Sequence, residues 1–216
     1  MFNGGMEDAS IRTRAVYDHV ADRYAQLHGT VPPAVVDLAD DFARVGGAAG
    51  AVLDLGCGAG RDMAFWEARG ARVVGLDLST GMLDHAAGLV AGPLVQGDML
   101  RLPFADGAFT GVWSIASILH LPHAVAPAAV AEIARVLKPG GVLALSLQAG
   151  RGESWEVGPY QEERFFARYD LAGARALVSG AGLAVGDSRS IRHGDGRGWL
   201  QVLAVRPVAR SPKPSH

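Results

Sequence analysis

The sequence predicts an α/β fold in which a mostly parallel sheet is covered by helices on both faces. Two observations carry this. Short apolar runs alternate with segments of helical periodicity, the pattern that builds parallel sheets. The first such run also ends in a glycine-rich turn, AVLDLGCGAGRD at residues 51–62, where a strand hands over to its covering helix. A third observation sets the scale. The chain has 216 residues, 49% of them hydrophobic, enough for one substantial core. One domain over residues 1–210 is expected, with a Pro- and Ser-rich loose tail at 211–216.

Each element has its own justification. Ile11, Val16, Val20, Tyr24 and Leu27 recur at near-helical spacing, so residues 11–29 read as a helix. Pro32 and Pro33 break it and open a second helix to about Arg44. Residues 1–45 thus form an N-terminal helical cap. AVLDL is a buried strand, and a helix from about Ala59 to Arg69 stops at Gly70. ARVVGLDL is a second strand, and Ser79 caps the helix TGMLDHAAGLV. PLVQGD and AFTGVWSIAS supply a third and a fourth strand. PAAVAEIARVL is an amphipathic helix, KPGG a turn, and GVLALSL a fifth strand. Residues 149–169 read as a long loop, followed by a helix near 170–179 and the strands GLAVGDSRSI and GWLQVLAVR.

Composition narrows the function. A net charge of −2 gives no basic footprint for nucleic acid or an anionic membrane. No apolar run approaches the ~20 residues that cross a bilayer. The acidic start MFNGGMEDAS lacks the features of a signal peptide. One cysteine, Cys57, allows no internal disulfide and no cysteine-based zinc cluster, which fits a reducing cytoplasm. Cys57 has no nucleophile-elbow context and reads as packing.

In such sheets ligands bind at the carboxyl ends of the strands. Gly56, Gly58 and Gly60 lie at that edge and let a ligand approach where a Cβ would clash. The spacing is not that of a dinucleotide fingerprint, because Arg61 stands where the last glycine belongs. No Gly-Lys pair marks a P-loop. Asp77 ends the second strand and can accept hydrogen bonds from ribose hydroxyls. Asp98, in QGDML, can accept from an adenine amino group, with the Met99 amide beside it. Two acids and a glycine turn suit a ligand with ribose, adenine and little phosphate.

At this point the sequence resembles the class I S-adenosylmethionine-dependent methyltransferases. VLDLGCGAGRD, VVGLDLSTGMLDHA, VQGDMLRLPFADGAFTGVW and EIARVLKPGGVLALS are similar to that family's successive motifs, in order, within about residues 15–205. The resemblance implies a Rossmann-like sheet of seven strands whose last strand is antiparallel. It implies that Asp54, Gly56, Gly58 and Gly60 shape the pocket for the methionine part of S-adenosylmethionine. Asp77 and Leu78 would meet ribose, Asp98 and Met99 adenine, and Ile115 the methionine chain. Thr110 departs from a frequent acid. The Asn/Asp-Pro-Pro-Tyr motif is absent, with SIASILHLP in its place, which argues against DNA adenine or protein glutamine as acceptor. The implied reaction is methyl transfer to an oxygen or nitrogen of a small molecule, leaving S-adenosyl-L-homocysteine. A noncatalytic cofactor-binding or regulatory protein is the alternative, and a nicotinamide oxidoreductase stands third.

The remaining candidates concern catalysis. His120 follows the fourth strand at the ligand edge and is the candidate general base. His120 and His123 have the spacing H-x-x-H, but Pro122 intervenes and no third ligand is evident, so no metal is expected. Tyr17 and Tyr24 share one helix face and suit either packing or a lid over a sulfonium. The aromatic-rich segment 149–169 is expected to border the acceptor pocket. Arg151 and Arg164 suit an anionic acceptor or plain solvation. His19, His28 and His193 read as surface residues. Oligomeric state is not legible.

Overall fold

The computed structural model describes residues 4–192 and 196–208, with side chains from residue 9 onward. The expected tail at 211–216 and His193 lie outside the described residues. A seven-stranded sheet organises the chain. Its strands are β1 (Ala51–Leu55), β2 (Arg72–Asp77), β3 (Leu94–Gln96), β4 (Phe109–Ile115), β5 (Leu137–Gln148), β8 (Ala184–Arg192) and β9 (Gly198–Val205). Their order is β3-β2-β1-β4-β5-β9-β8. The pairs from β3 through β5 are parallel, while β9 runs antiparallel to both β5 and β8. The sheet is the one expected, with its final strand reversed.

Strand sequences explain the two layers. Successive side chains point to opposite faces, so Leu53, Val112 and Leu143 join one apolar cluster while Val52, Trp113 and Ala144 join the other. The first cluster is covered by helices α5 (Ala126–Val136) and α6 (Leu171–Gly180), the second by α2 (Pro33–Arg44) and α3 (Arg61–Glu67). Phe42, Trp66 and Trp113 stack in the second layer with centroids 5.2–5.4 Å apart. The Trp113 indole donates to Asp62 at 2.9 Å, which satisfies a buried polar atom.

Helix α1 spans Gly4–Leu27 and begins earlier than its periodicity predicts. It packs on α4 (Thr80–Ala87) on one side and on β7 (Glu163–Arg168) on the other. Helix α3 starts later than expected, because Gly56, Gly58 and Gly60 all have positive φ and keep the turn non-helical up to Arg61. KPGG is not a free turn. It lies inside β5, where Gly140 at φ +80° bends the strand and the register with β4 shifts. Segment 149–169 is also not a plain loop. It carries a two-stranded antiparallel ribbon, β6 (Gly152–Val157) and β7, in which Trp155 opposes Phe165. Alternating charged residues in GESWEV and ERFFAR obscured these strands.

Candidate active site

The strand order reverses between β1 and β4. A cleft of about 800 Å³, mouth included, opens there. Its floor comes from the ends of β1, β2 and β4 and its roof from α1. A second hollow of about 540 Å³ adjoins it, and the two share Tyr24, Gly56, Gly58 and Ile115.

On the strand side, short groups are fixed by the backbone. The Gly58 amide donates to Asp77 Oδ2 at 2.9 Å, and the Ser79 amide to Oδ1 at 2.9 Å. Burial pushes the Asp77 carboxyl above its ordinary range, against those two amides. The Leu100 amide donates to Asp98 Oδ1 at 2.9 Å, holding Asp98 beside Met99 at the cleft wall. Asp54 faces the second hollow and is 2% exposed. Its Oδ2 has no hydrogen-bond partner. Burial, reinforced by the charge of Asp62, pushes its carboxyl well above the ordinary value. The neighbouring Arg61 is turned to Asp62, Nε to Oδ1 at 2.6 Å.

On the helix side, long side chains meet from distant parts of the chain. Tyr17 Oη lies 2.8 Å from His120 Nε2, and Arg164 Nη1 donates to Tyr17 Oη at 2.9 Å. His120 Nδ1 lies 2.7 Å from the Phe165 carbonyl oxygen. Because a carbonyl only accepts, Nδ1 carries the proton and Nε2 accepts from tyrosine. Burial, with Arg164 adding to it, lowers His120 to about 4. Tyr17 and Tyr24 meet edge to face at 5.7 Å. His28 Nε2 lies 2.5 Å from Tyr160 Oη at the far end of α1.

Comparison with known proteins decides the family. Residues 53–145, from β1 into β5, match a family described as "Methyltransferase domain". Methyltransferase GfsG of Streptomyces halstedii is 36% identical over 179 residues, which cover 76% of this chain and 57% of GfsG. A methyltransferase-family protein of Encephalitozoon cuniculi (strain GB-M1) is 32% identical over 154 residues, 63% of this chain and 71% of that protein. Among solved structures, the 1,6-didemethyltoxoflavin-N1-methyltransferase of Burkholderia thailandensis aligns with a TM-score of 0.77. It is 19% identical, and the match covers 95% of this chain and 92% of that one.

The chain belongs to the class I S-adenosylmethionine-dependent methyltransferase family.

It spans little more than half the length of GfsG. Of the family positions carried over from sequence, Gly56, Gly58, Asp77, Leu78, Asp98, Met99 and Ile115 all line the main cleft, and Asp54 lines the second hollow. Tyr17, Tyr24 and His120 line the main cleft as well. Gly60 is the exception and lines neither space. A Cβ there would approach Ala86 and Val90 of the chain itself, at 3.1 and 3.2 Å. Gly56 is similar, since its Cβ would fall 2.3 Å from the Ser117 Cβ. The turn is glycine-rich largely because the protein's own parts converge on it, and Gly58 is the member left open toward the ligand side.

Other members of this methyltransferase-family site were not legible. Thr13, Arg14 and Ser117 line the cleft without any motif. His28 is half-buried, and it lines the second hollow beside Tyr24. Arg151 is paired with Asp170 at the surface, whereas Arg164 is 7% exposed behind Tyr17. Cys57 is buried and its thiol pushed up by burial, as packing requires. His123 turns to the Arg168 carbonyl at 3.0 Å, so the H-x-x-H histidines fasten β7 at two separate carbonyls. The ribbon therefore backs the cleft wall rather than lining it.

Proposed function

We propose that this chain is a methyltransferase that uses S-adenosyl-L-methionine to methylate an oxygen or nitrogen of a small-molecule acceptor in the cytoplasm. The observation that carries the reading is the unpartnered Oδ2 of Asp54. A buried carboxylate oxygen with no donor is costly, and an α-ammonium group at that position would relieve it. The other donors and acceptors fit the remaining parts of the same ligand. Each Asp77 oxygen accepts one backbone amide and keeps a lone pair for a ribose hydroxyl. Asp98 retains Oδ2 for an adenine amino group, with Leu78 and Met99 beside it. S-adenosylmethionine supplies an electrophilic methyl group on a cationic sulfur, which leaves as a neutral thioether.

The chain's own residues do the rest. The edge-to-face rings of Tyr17 and Tyr24 form an aromatic roof suited to a cation. α1 covers one side of the space, so its residues help fix the alignment of acceptor, methyl and sulfur on which catalysis chiefly rests. His120 is the proposed destination of the acceptor's proton. A single buried cysteine fits the reducing cytoplasm. Among the described residues no helix is long and apolar enough to cross a membrane.

Calorimetry with S-adenosylhomocysteine and with NAD tests the binding step. S-adenosylhomocysteine should bind, and Asp77→Ala should weaken it by about 1.5–3 kcal/mol through lost charge-assisted hydrogen bonds. A folded protein that binds NAD instead, or a variant of unchanged affinity, would overturn the assignment. Turnover across phenol, carboxylate and amine acceptors tests the chemistry. Binding without turnover on any class would favour a noncatalytic cofactor-binding role.

A further inference from the structure

Tyr17 occupies an unusual position for a roof residue. Its hydroxyl donates to the neutral Nε2 of His120 and accepts from Arg164. That leaves one oxygen lone pair on a side chain that lines the cleft. His120 is held from behind by the Phe165 carbonyl, which fixes its tautomer. Arg164 is 7% exposed, and among the described residues no carboxylate forms an ion pair with it. Its Nε has no partner, and the rings of Tyr17, Tyr160 and Phe166 surround it at 5.4, 4.8 and 5.2 Å. A buried guanidinium without a counter-charge is costly. Its retention against a phenol oxygen suits a site where negative charge develops on that oxygen.

We infer that Tyr17, not His120, is the group that meets the acceptor's proton, and that His120 receives it through Tyr17 while Arg164 steadies the phenol oxygen. This rests on the methyltransferase reading above. The step balances. The acceptor's lone pair forms the new bond to the methyl carbon, and the electrons of the carbon–sulfur bond stay on sulfur. The acceptor's proton passes to Tyr17 Oη, and the proton of Tyr17 passes to His120 Nε2. One positive charge disappears from sulfur and one appears on the imidazole. The site therefore holds the same net charge before and after transfer, the positive charge moving from sulfur to the buried imidazole. The groups facing this pair are Arg164 from β7, which lowers the affinity of His120 for a proton, Asp77 at the end of β2, which raises Tyr17, and the phenols of Tyr24 from α1 and Tyr160 from the ribbon's turn, both interacting with Tyr17. With His120 depressed to about 4, the imidazolium gives up its proton to water once the products leave. In this scheme Tyr17 is the catalytic residue and Arg164 a positioning residue.

The test uses the full chain and two probes that need no acceptor. His120 is titrated by NMR in the complex with S-adenosylhomocysteine and in the complex with sinefungin, whose amine places a cation where the sulfonium sits. Exchange of charge between the two sites predicts a lower His120 midpoint with sinefungin, by at least about one pH unit. Tyr17→Phe is then assayed on an acceptor found by turnover. We expect kcat to fall about 100-fold, with KM and S-adenosylhomocysteine affinity within twofold. The variant's kcat should also keep rising with pH, as the acceptor must ionise unaided. A purely structural tyrosine would not produce that slope. Equal midpoints with both ligands bound, or a wild-type kcat and pH profile in Tyr17→Phe, would sink the relay alone. Failure of both probes to bind would instead remove the methyltransferase reading, and the relay with it.

Discussion

On the strand side of the cleft, contacts are short in sequence: Asp77 takes its amides from residues 19 and 2 positions away. On the helix side they are long: Tyr17 reaches His120 across 103 residues and Arg164 across 147. The strand side uses backbone amides and short acids at the ends of adjacent strands. The helix side uses aromatic rings, two imidazoles and a guanidinium from α1, the turn after β4 and the ribbon. The first is built by the same sheet that forms the core. The second depends on α1 docking. The family match, residues 53–145, includes the first side and, of the second, only the turn that bears His120.

The largest effect should come from breaking the strand side at its turn. Gly56 has φ +75°, and a Cβ there would fall 2.3 Å from Ser117 Cβ. Gly56→Ala adds left-handed strain of ~1–3 kcal/mol to an overpacking cost of ~1–3 kcal/mol. Thermal unfolding should show a drop of several degrees, with S-adenosylhomocysteine binding lost. A variant with the wild-type melting temperature would mean that Ser117 yields freely and that the turn is looser than its geometry.

The same contrast explains what was legible in sequence. Asp77, Asp98 and Gly58 were found because each acts near its own strand end, where a local motif records the geometry. Tyr17 and Tyr24 were half legible: their spacing put them on one face, but nothing local said that His120 and Arg164 would meet that face. The place of His28 at the second hollow was not legible, because its partner, Tyr160, lies 132 residues away. Gly60 shows the converse, since a motif records that glycine is required without recording whether a ligand or Ala86 requires it. The strands β6 and β7 were missed because charged residues interrupt their apolar alternation, and the inward residues of β7 are buried by distant parts of the chain, α1, the turn at His120 and β5.

A smaller effect sharpens the strand side further. Asp54 is raised well above 3.8, first by burial and then by Asp62. A carboxyl that holds its proton to higher pH in the native state stabilises the fold below the unfolded value and loses that contribution as pH rises through the native one. Asp54→Asn removes this loss. The ligand-free variant should therefore be more stable near neutral pH, by about 1–2 kcal/mol, the scale of one unsatisfied buried group. With ligand the order should reverse. Wild-type affinity for S-adenosylhomocysteine should climb as pH rises from the acid side, because the ammonium needs an ionised partner. The variant's affinity should be weaker and flat across that window. Calorimetry over a pH series checks both, and a variant that binds like wild type would remove Asp54 from the site.

The smallest effect concerns the seam between the two sides. Asp18 of α1 accepts from Ser79 Oγ at 2.7 Å and from the Gly81 amide at 3.1 Å. Ser79 in turn accepts from the Met82 amide at 3.1 Å and caps α4. Asp18 thus pins the roof to the first turn of α4, two residues past Asp77. Asp18→Ala should cost about 1 kcal/mol, the usual scale of a lost capping acid, with faster amide hydrogen exchange along α1. Affinity for S-adenosylhomocysteine should stay within about twofold, because Gly58, Asp77 and Ser79 hold one another through backbone amides that Asp18 does not touch. An affinity loss as large as that of Asp77→Ala would show that the strand side does not stand without the roof, and the division between a locally built half and a docked half would then fail at the residue where they meet.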